Sequence, residues 1–347
     1  MSESHFLRRK WKLIFNTITI FAMIGLAIAL RHQIIDTLKN IGRVNTWAIL
    51  LMIPLEAWNY DAYARLYRSF LNILGSKTTY REMYKVSLEL NLINHLFPSG
   101  GVSGFSYFSL RLKKLGISTG KATLVQTMRF VFLFLSFEIL LFFGVFTLAL
   151  GGHVNNLTIL VAGSVSTLLI VGTIGLAYVI GSLKRINRFF TFITKAINGG
   201  IHIVRPKHPE TIDVAKVRHM FTDLHENYMV LKSDYRKLKA PFLFALAANF
   251  TELATLYVVY IAFGHWVNPG AIILAYAVAN IAGLISVLPG GIGIYEAIMT
   301  AVLATAGVSP AVSLPVTVMY RVINMFIQII PGYYFYHKAF KDRPISG

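Results

Sequence analysis

The 347-residue sequence contains no cysteine, and only 14% of its residues are charged. The absence of cysteine excludes disulfides, thiolate metal ligands and a cysteine nucleophile. A soluble domain carries roughly 25% charged residues, so the shortage of charge argues against a soluble globular fold. Acidic residues are the scarcest charged type, with 15 of them against 33 lysines and arginines.

Long apolar runs take the place of the missing charge. Hydrophobic residues make up 55% of the chain, and its mean hydropathy is +0.60. Several runs reach about 20 residues, the length of a helix that crosses the ~30 Å hydrocarbon core of a bilayer. The sequence therefore predicts an all-α polytopic membrane protein, a single transmembrane domain over residues 1–347 that lies in the cell (inner) membrane. The expected spanning helices are 12–30, 46–64, 122–150, 157–181, 241–264 and 311–337, with shorter apolar segments at 82–97, 102–115, 270–288 and 294–306.

The first apolar run resembles a signal peptide, because a cluster of arginines and lysines precedes it. Its apolar part is longer than the core of a usual signal peptide, and the cleavage motif is weak. We interpret it as a retained first helix.

The net charge of +18 could indicate a nucleic-acid partner, but the placement of the basic residues points to a membrane. Of the 33 lysines and arginines, 28 lie in segments that flank the apolar runs. Cytoplasmic loops of membrane proteins carry such an excess, and basic groups there meet anionic lipid headgroups. We predict no nucleic-acid partner and cytoplasmic termini. The segments predicted to be cytoplasmic are 1–12, 65–85, 111–121, 183–240 and 338–347.

This charge distribution requires two segments to enter and leave the membrane on the same side. Basic segments 65–85 and 111–121 bracket the first, and segments without lysine or arginine, 265–269 and 307–310, bracket the second. Proline ends a helix and glycine permits a reversal, so each segment is predicted to be a re-entrant helix–break–helix hairpin. The breaks are Pro98, Ser99, Gly100 and Gly101 in the first and Pro289, Gly290, Gly291 and Gly293 in the second.

The two hairpins also correspond in sequence. A shift of 191 residues takes Pro98 to Pro289 and Asp61 to Glu252, and a shift of 192 takes Arg129 to Arg321. Corresponding parts are predicted to face opposite sides, which defines an inverted repeat of the kind that many transporters have. Repeat one is placed at 46–150 and repeat two at 241–338, joined by a basic cytoplasmic connector at 183–239 in which 210–237 is expected to be a solvated helix.

The residues around both breaks resemble those of a known membrane family. The run Asn91 to Gly116 contains Pro-Ser-Gly-Gly and ends in Leu-Lys-Lys-Leu-Gly, and Leu288 to Tyr320 contains Leu-Pro-Gly-Gly-Ile-Gly-Ile-Tyr-Glu. Over residues 10–338 the chain is similar to the lysylphosphatidylglycerol synthase transmembrane region, also called the flippase-like or YbhN-like family. The resemblance implies translocation of lipids between leaflets, best known for aminoacylated phosphatidylglycerol, with other members linked to hopanoids or polyprenyl-linked sugars. We expect no soluble aminoacyl-transferase domain, so lipid synthesis is not implied.

The two breaks are the first candidates for binding a lipid headgroup. Each places the start of a helix near the membrane midplane, where free N–H groups and the helix dipole favour an anion. Two arginines add positive charge, and Glu296 is expected in the first turn of the second short helix. The alternative is that Glu296 only pairs with an arginine and the glycines only break helices. The candidate headgroup residues are Pro98, Ser99, Gly100, Gly101, Arg129, Pro289, Gly290, Gly291, Gly293, Glu296 and Arg321.

Other polar residues in the apolar segments are candidates for proton or cation coupling or for contact with the headgroup, because such groups are costly in hydrocarbon. Asp61 could equally pair with Arg65 four residues further on, and His95 could be a histidine satisfied inside the bundle. The candidates are Asp61, Asn91, His95, Glu252, Asn280 and Asn324.

Catalytic motifs are weak: the Pro-Gly-Gly-Ile-Gly turn lacks the lysine and hydroxyl residue of a phosphate-binding loop, and no histidines have metal-ligand spacing. We predict a protein that is not an enzyme and needs no metal or cofactor, a flippase or transporter whose partners are membrane lipids. Its cargo is predicted to be an anionic or aminoacylated phospholipid, or a polyprenyl lipid or glycolipid. The alternatives are a secondary transporter of a small anion and an accessory subunit of glycolipid synthesis. The sequence leaves open whether the chain forms a homo-oligomer.

Overall fold

The computed structural model describes residues 21, 24–25, 28, 31–96, 102–152, 155–188, 214–285 and 291–341. These residues are almost entirely α-helical and contain no strand, which confirms the predicted all-α polytopic membrane fold. The helices are α1 (Arg31–Asn40), α2 (Thr46–Leu50), α3 (Met52–Ile73), α4 (Tyr80–Leu96), α5 (Val102–Lys113), α6 (Thr119–Leu150), α7 (Asn156–Ile180), α8 (Val214–Ser233), α9 (Lys239–Ala262), α10 (Pro269–Ile285), α11 (Ile294–Thr305) and α12 (Pro310–Lys341).

Several helices begin where a polar side chain caps the free backbone N–H groups. Ser118 accepts a hydrogen bond from the Lys121 N–H at the start of α6, and Asn155 accepts one from the Thr158 N–H at the start of α7. Before α4, Thr79 and Glu82 cap each other reciprocally. Apart from the predicted helix 46–64, the described helices begin and end within a few residues of the predicted ones, which is the usual variation at helix ends.

Four of the predicted spanning helices have the length and apolarity to cross a membrane: α6, α7, α12 and the stretch Tyr235–Ala262 that includes α9. The predicted helix 12–30 lies almost entirely outside the described residues. The predicted helix 46–64 is instead two helices, α2 and the longer α3, because the helix breaks at Leu51. Charged groups on α3 lower its overall apolarity, and Glu56 points into the protein rather than into lipid.

An antiparallel pair, α3 and α9, forms the centre of the bundle. The Asn45 N–H donates to the Ala262 carbonyl (2.9 Å), and the Asn59 side chain donates to the Ala248 carbonyl (2.8 Å) and the Thr251 hydroxyl (3.0 Å). As the residue number rises on α3, the number of its partner falls on α9, so the two helices run in opposite directions. Asn59 and Thr251 are 192 positions apart, one more than the shift of 191 that takes Asp61 to Glu252, so this contact lies close to the point where equivalent positions of the two repeats meet.

Each helix pair at a break forms a hairpin that packs on the last long helix of the other repeat. Helix α4 packs on α5 and α12, and correspondingly α10 packs on α11 and α6. In the first hairpin, Arg111 Nε lies 2.8 Å from the Glu89 carboxylate, which also accepts a hydrogen bond from the Tyr107 hydroxyl (2.8 Å). The two hairpins therefore make matching helix contacts, which is the arrangement expected of an internal repeat.

The predicted solvated helix 210–237 is docked instead. Helix α8 packs on α6, with Leu224 and Leu231 buried. The Ser118 hydroxyl donates to the Asp223 carboxylate (2.6 Å). The prediction of a solvated helix was wrong because the many charged residues of α8 obscure, in the sequence, the two leucines that pack on the bundle.

Helix α7 lies at the periphery and exposes a broad apolar surface. A membrane-spanning helix of this kind faces lipid acyl chains rather than water. Its exposed apolar side chains include Leu157, Ile159, Leu160, Val171 and Ile174.

Close approach of α10 to α6 depends on glycine. A Cβ atom at Gly270 would overlap the carbonyl oxygen of Gly144, so Gly270→Ala is expected to destabilise the protein by about 1–3 kcal/mol through overpacking. Gly163 on α7 is a matched control, because a Cβ there meets nothing within 4 Å and alanine favours a helix by about 0.5–1 kcal/mol. Thermal unfolding in detergent measures both, and an unchanged Tm for Gly270→Ala would contradict this packing.

Candidate functional site

Helix α3 carries a continuous polar and aromatic face. Glu56, Asn59, Tyr60, Tyr63 and Tyr67 recur at spacings of three and four residues, so they lie along one side of the helix. Glu56, Asn59 and Tyr60 are buried, and this side faces α9, α12 and α6. The polar residues within the apolar bundle therefore meet at the boundary between the two repeats.

Arg321 is neutralised by a carboxylate. Its Nη1 lies 2.7 Å from the Glu296 carboxylate, and its guanidinium lies over the Tyr295 ring, 4.8 Å from the centroid. The same carboxylate accepts hydrogen bonds from the Gly293 N–H (2.7 Å) and the Gln33 amide (3.2 Å). The structure thus brings together three predicted headgroup residues, but as an ion pair that joins α11 to α12. This geometry matches the alternative in which Glu296 pairs with an arginine and holds the hairpin.

Arg129, the repeat counterpart of Arg321, has a different environment. Its guanidinium lies among the rings of Tyr63 (4.9 Å to the centroid), Phe130 (5.0 Å) and Tyr67 (5.9 Å). Its Nη1 donates to the Gln126 amide oxygen (3.3 Å), and its buried Nε has no hydrogen-bond partner among the described residues. Within that part of the chain no carboxylate lies at ion-pair distance from Arg129. It is a cation held by aromatic rings rather than by a counter-ion.

The sequence explains why the two arginines differ. The 191-residue shift that relates the hairpins takes Glu296 back to Phe105. Phe105 stacks on Phe130, with ring centroids 5.7 Å apart. Repeat one therefore has an aromatic ring at the position where repeat two has the neutralising carboxylate.

Two carboxylates lie opposite each other across α3 and α9. Glu252 accepts hydrogen bonds from the Tyr320 hydroxyl (2.5 Å) and the Asn324 amide (3.5 Å), and Glu56 accepts one from the Gln328 amide (3.1 Å). Neither forms an ion pair with a lysine or arginine of the described segments. Glu252 and Asn324 were predicted candidates. Glu56 was missed as a site residue, although its spacing from Asn59, Tyr60 and Tyr63 on one helical face was readable in the sequence.

Asp61 has different contacts from Glu252, the residue to which it corresponds in the repeat. The Asp61 carboxylate lies 2.7 Å from Arg65 Nε and accepts a hydrogen bond from the Tyr80 hydroxyl (2.6 Å). It lies on the side of α3 that faces the start of α4. The alternative pairing with Arg65 is the one observed, because equivalence by repeat shift does not place two side chains on facing surfaces.

The remaining predicted residues are less closely associated. His95 Nδ1 is hydrogen-bonded to the Asn91 carbonyl (2.8 Å), and the Asn280 amide donates to the Tyr276 carbonyl of its own helix (2.8 Å). These contacts satisfy the side chains locally. The break residues Pro98, Ser99, Gly100, Gly101, Pro289 and Gly290 lie outside the described residues.

Gly291 has a structural reason to be glycine. It is buried with φ +66°, a conformation that side-chain-bearing residues rarely adopt. A Cβ atom there would lie 3.1 Å from the Gly283 Cα. This geometry favours the interpretation of Gly291 as a residue that permits the reversal of the hairpin.

Comparison with known proteins agrees with the architecture. The family described as "Lysylphosphatidylglycerol synthase TM region" matches residues 13–332. UPF0104 membrane proteins of Methanothermobacter thermautotrophicus are 36% identical over 76 residues (22% of both chains) and 30% identical over 95 residues (27% of this chain, 28% of the relative). The UPF0104 membrane protein PH1989 of Pyrococcus horikoshii is 26% identical over 110 residues, 32% of this chain and 33% of the relative. The matched stretches thus cover less than two thirds of these relatives.

Proposed function

Because this chain belongs to the lysylphosphatidylglycerol synthase transmembrane-region family, we propose that it moves a lipid with a phosphate-containing headgroup between the two leaflets of the cell membrane. Spontaneous movement is slow because a charged headgroup must leave water, at a cost of several kcal/mol per ion even after relaxation. A protein accelerates it by offering polar partners along the way while the acyl chains stay in lipid.

Arg129 is the observation that carries this proposal. A charged arginine at the centre of a spanning helix costs about 3 kcal/mol on insertion scales, and Arg321 offsets that cost with Glu296. Arg129 has aromatic rings and one amide oxygen instead. A lipid phosphate would supply the missing negative charge, and guanidinium groups suit phosphate oxygens because their N–H donors can bind two at once.

The surroundings of Arg129 also suit an amphiphilic cargo. Tyr63 and Tyr67 have apolar rings for the glycerol and upper acyl region and hydroxyl groups for the headgroup. Tyr63, whose ring lies 4.9 Å from the Arg129 guanidinium, is on the same face of α3 as Glu56. A zwitterionic or aminoacylated headgroup would therefore meet a cation and, further along α3, negative charge.

Translocation in proteoliposomes tests the proposal. Vesicles containing the purified protein and a fluorescent phosphatidylglycerol are treated with an impermeant quencher, and the quenched fraction is expected to rise from about half towards all of the probe. Protein-free vesicles are the control. Uptake of radiolabelled inorganic phosphate without lipid movement would instead indicate a transporter of a small soluble anion, and movement of neither would contradict a transport function.

We also propose that both termini and the segment 111–121 face the cytoplasm, since basic residues accumulate there. The inverted repeat then places the loop between α11 and α12 outside. Because the chain has no cysteine, Ser118→Cys and Ser309→Cys give single labelling sites, and both serines are exposed. An impermeant maleimide added to intact cells is expected to label only the cysteine at 309. Equal labelling of both sites would contradict the proposed orientation.

A further inference from the structure

The two carboxylates on the central helix pair lie level with each other. The contacts between α3 and α9 join Asn45 to Ala262 and Asn59 to Ala248 and Thr251. Continuing that antiparallel pairing places Glu56 opposite Glu252, between the two sets of contacts. The Asn324 amide of α12 donates to Glu252 (3.5 Å), and the Gln328 amide, four residues further along the same helix, donates to Glu56 (3.1 Å). One face of α12 therefore meets both carboxylates at the boundary of the repeats.

Several acceptor oxygens at this site have no hydrogen-bond partner within the described segments of the chain. They are Glu56 Oε1, Asn324 Oδ1 and Gln328 Oε1. The three side chains are almost completely enclosed, with 0%, 7% and 5% of their surface exposed. The amide nitrogens of Asn324 and Gln328 already donate to Glu252 and Glu56, so their oxygens lie beside the same carboxylates. A group of buried acceptors without donors calls for a cation or a proton.

We propose that Glu56, Glu252, Asn324 and Gln328 form a binding site for a small monovalent cation, H⁺ or Na⁺. Two neighbouring carboxylates cannot both stay ionised and unaccompanied in a low-dielectric interior, because each is desolvated and each repels the other. A proton converts one carboxylate into a hydrogen-bond donor, and Na⁺ is bound by oxygen atoms. Either ion neutralises one negative charge and satisfies the unpaired oxygens.

A small ion fits better than the ammonium group of a lipid headgroup. No part of Glu56 is exposed, so a group attached to a lipid cannot reach between the carboxylates. Glu252 is only partly buried and provides the side from which an ion enters. The titratable or charged groups that face the pair are Tyr60 and Tyr63 of α3, Tyr276 of α10, Tyr295 of α11 and Tyr320 of α12, with Arg129 of α6 reaching Tyr63.

A cation site at the boundary of two repeats also provides a means of energy coupling. If the repeats rearrange when lipid moves, the site opens alternately to each side of the membrane, and a cation gradient then biases the direction of lipid movement. This coupling rests on the proposed function, whereas binding of the cation does not.

Ion-dependent measurements on the purified protein in detergent test the site. Thermal unfolding is compared in NaCl, KCl and choline chloride at equal ionic strength, and infrared spectra are recorded over a pH series. A Na⁺ site is expected to raise Tm by roughly 2–4 °C in NaCl alone. A proton site is expected to show the carbonyl band of a protonated carboxyl group and no preference for Na⁺.

Substitutions assign the response to the carboxylate pair. Glu56→Gln and Glu252→Gln preserve shape and remove charge, and each is expected to abolish the Na⁺-specific rise in Tm or the carboxyl band. Asp61→Asn, also on α3 but in an exposed contact with Arg65, is the matched control and is expected to leave both unchanged. Should the glutamine variants fail to fold, Glu56→Asp keeps the charge and is expected to shift the same response.

Two results would overturn the inference. One is a wild-type protein with neither a Na⁺-specific rise in Tm nor a protonated carboxyl band, and the other is a response that survives in both glutamine variants. Lipid movement is assayed separately in proteoliposomes. A protein that binds the cation but moves no lipid contradicts the proposed function alone, and one that moves lipid without any cation response contradicts this inference alone.

Discussion

Replacement of Arg129 by glutamine is expected to weaken binding of an anionic lipid by about 10- to 100-fold while leaving the melting temperature close to that of the wild type. The charged guanidinium has no carboxylate partner in the described part of the chain, so its removal strands no negative charge. A hydrogen bond to a charged group contributes about 1.5–3 kcal/mol, and each 1.4 kcal/mol is about tenfold in affinity. Binding of fluorescent phosphatidylglycerol and its translocation in vesicles measure the effect.

Arg129→Lys is the informative control for this variant. It keeps the positive charge but loses the flat guanidinium that lies against Tyr63 and Phe130, so we expect intermediate lipid affinity. A fall of Tm by many degrees in Arg129→Gln, with lipid affinity preserved, would show that the arginine has a structural partner and would remove the main support for the headgroup site.

Arg321→Gln is expected to have the opposite result, a destabilisation of about 3–5 kcal/mol, because it strands the buried Glu296 carboxylate. The Gly293 N–H and the Gln33 amide still donate to Glu296, and they offset only part of the lost charge pairing. Denaturation in detergent, followed by tryptophan fluorescence or thermal unfolding, measures the loss.

The double variant Arg321→Gln and Glu296→Gln separates loss of the pair from loss of the arginine. With both charges removed, the two amides can hydrogen-bond each other, and most of the lost stability is expected to return. If the double variant is no more stable than Arg321→Gln alone, Glu296 is not the group whose stranding costs stability. Equal effects of Arg129→Gln and Arg321→Gln on stability and lipid binding would contradict the difference between the repeats.

The sequence predicts the all-α polytopic membrane fold because the properties that determine this fold are local. Apolar length determines which segments can span a bilayer, and proline and glycine at 98–101 and 289–293 determine where a helix must stop. The helices that pack on one another then follow from the repeat. The docking of α8 could not be predicted in this way, since its two buried leucines are too few to distinguish a packed helix from a solvated one.

The site was only partly predictable, because sequence spacing identifies polar residues but not the surfaces they face. A shift of 192 pairs Arg129 with Arg321, yet the difference between them depends on Glu296 in one hairpin and Phe105 in the other. A shift of 191 pairs Asp61 with Glu252, whereas the antiparallel packing of α3 and α9 sets Glu56 opposite Glu252. Glu56 and Asp61 are five residues apart, about 1.4 helical turns, so their side chains lie on different sides of α3, one towards the repeat boundary and the other towards the start of α4.

The hydrogen bond between Asn59 and Thr251 has a mechanical consequence. These residues are one position away from equivalence under the 191-residue shift that takes Asp61 to Glu252, so the axis that relates the two repeats passes close to their contact. When two related repeats exchange conformations, groups near the axis stay at the same depth in the membrane, whereas groups far from the axis move. The Glu56–Glu252 pair lies within one helical turn of Asn59 and Thr251 on the same two helices, whereas Arg129 and Arg321 lie on α6 and α12. Under the proposed transport mechanism, a cation bound at the carboxylate pair would leave towards one side or the other without changing its depth in the membrane, whereas an anionic headgroup bound at Arg129 would move together with α6.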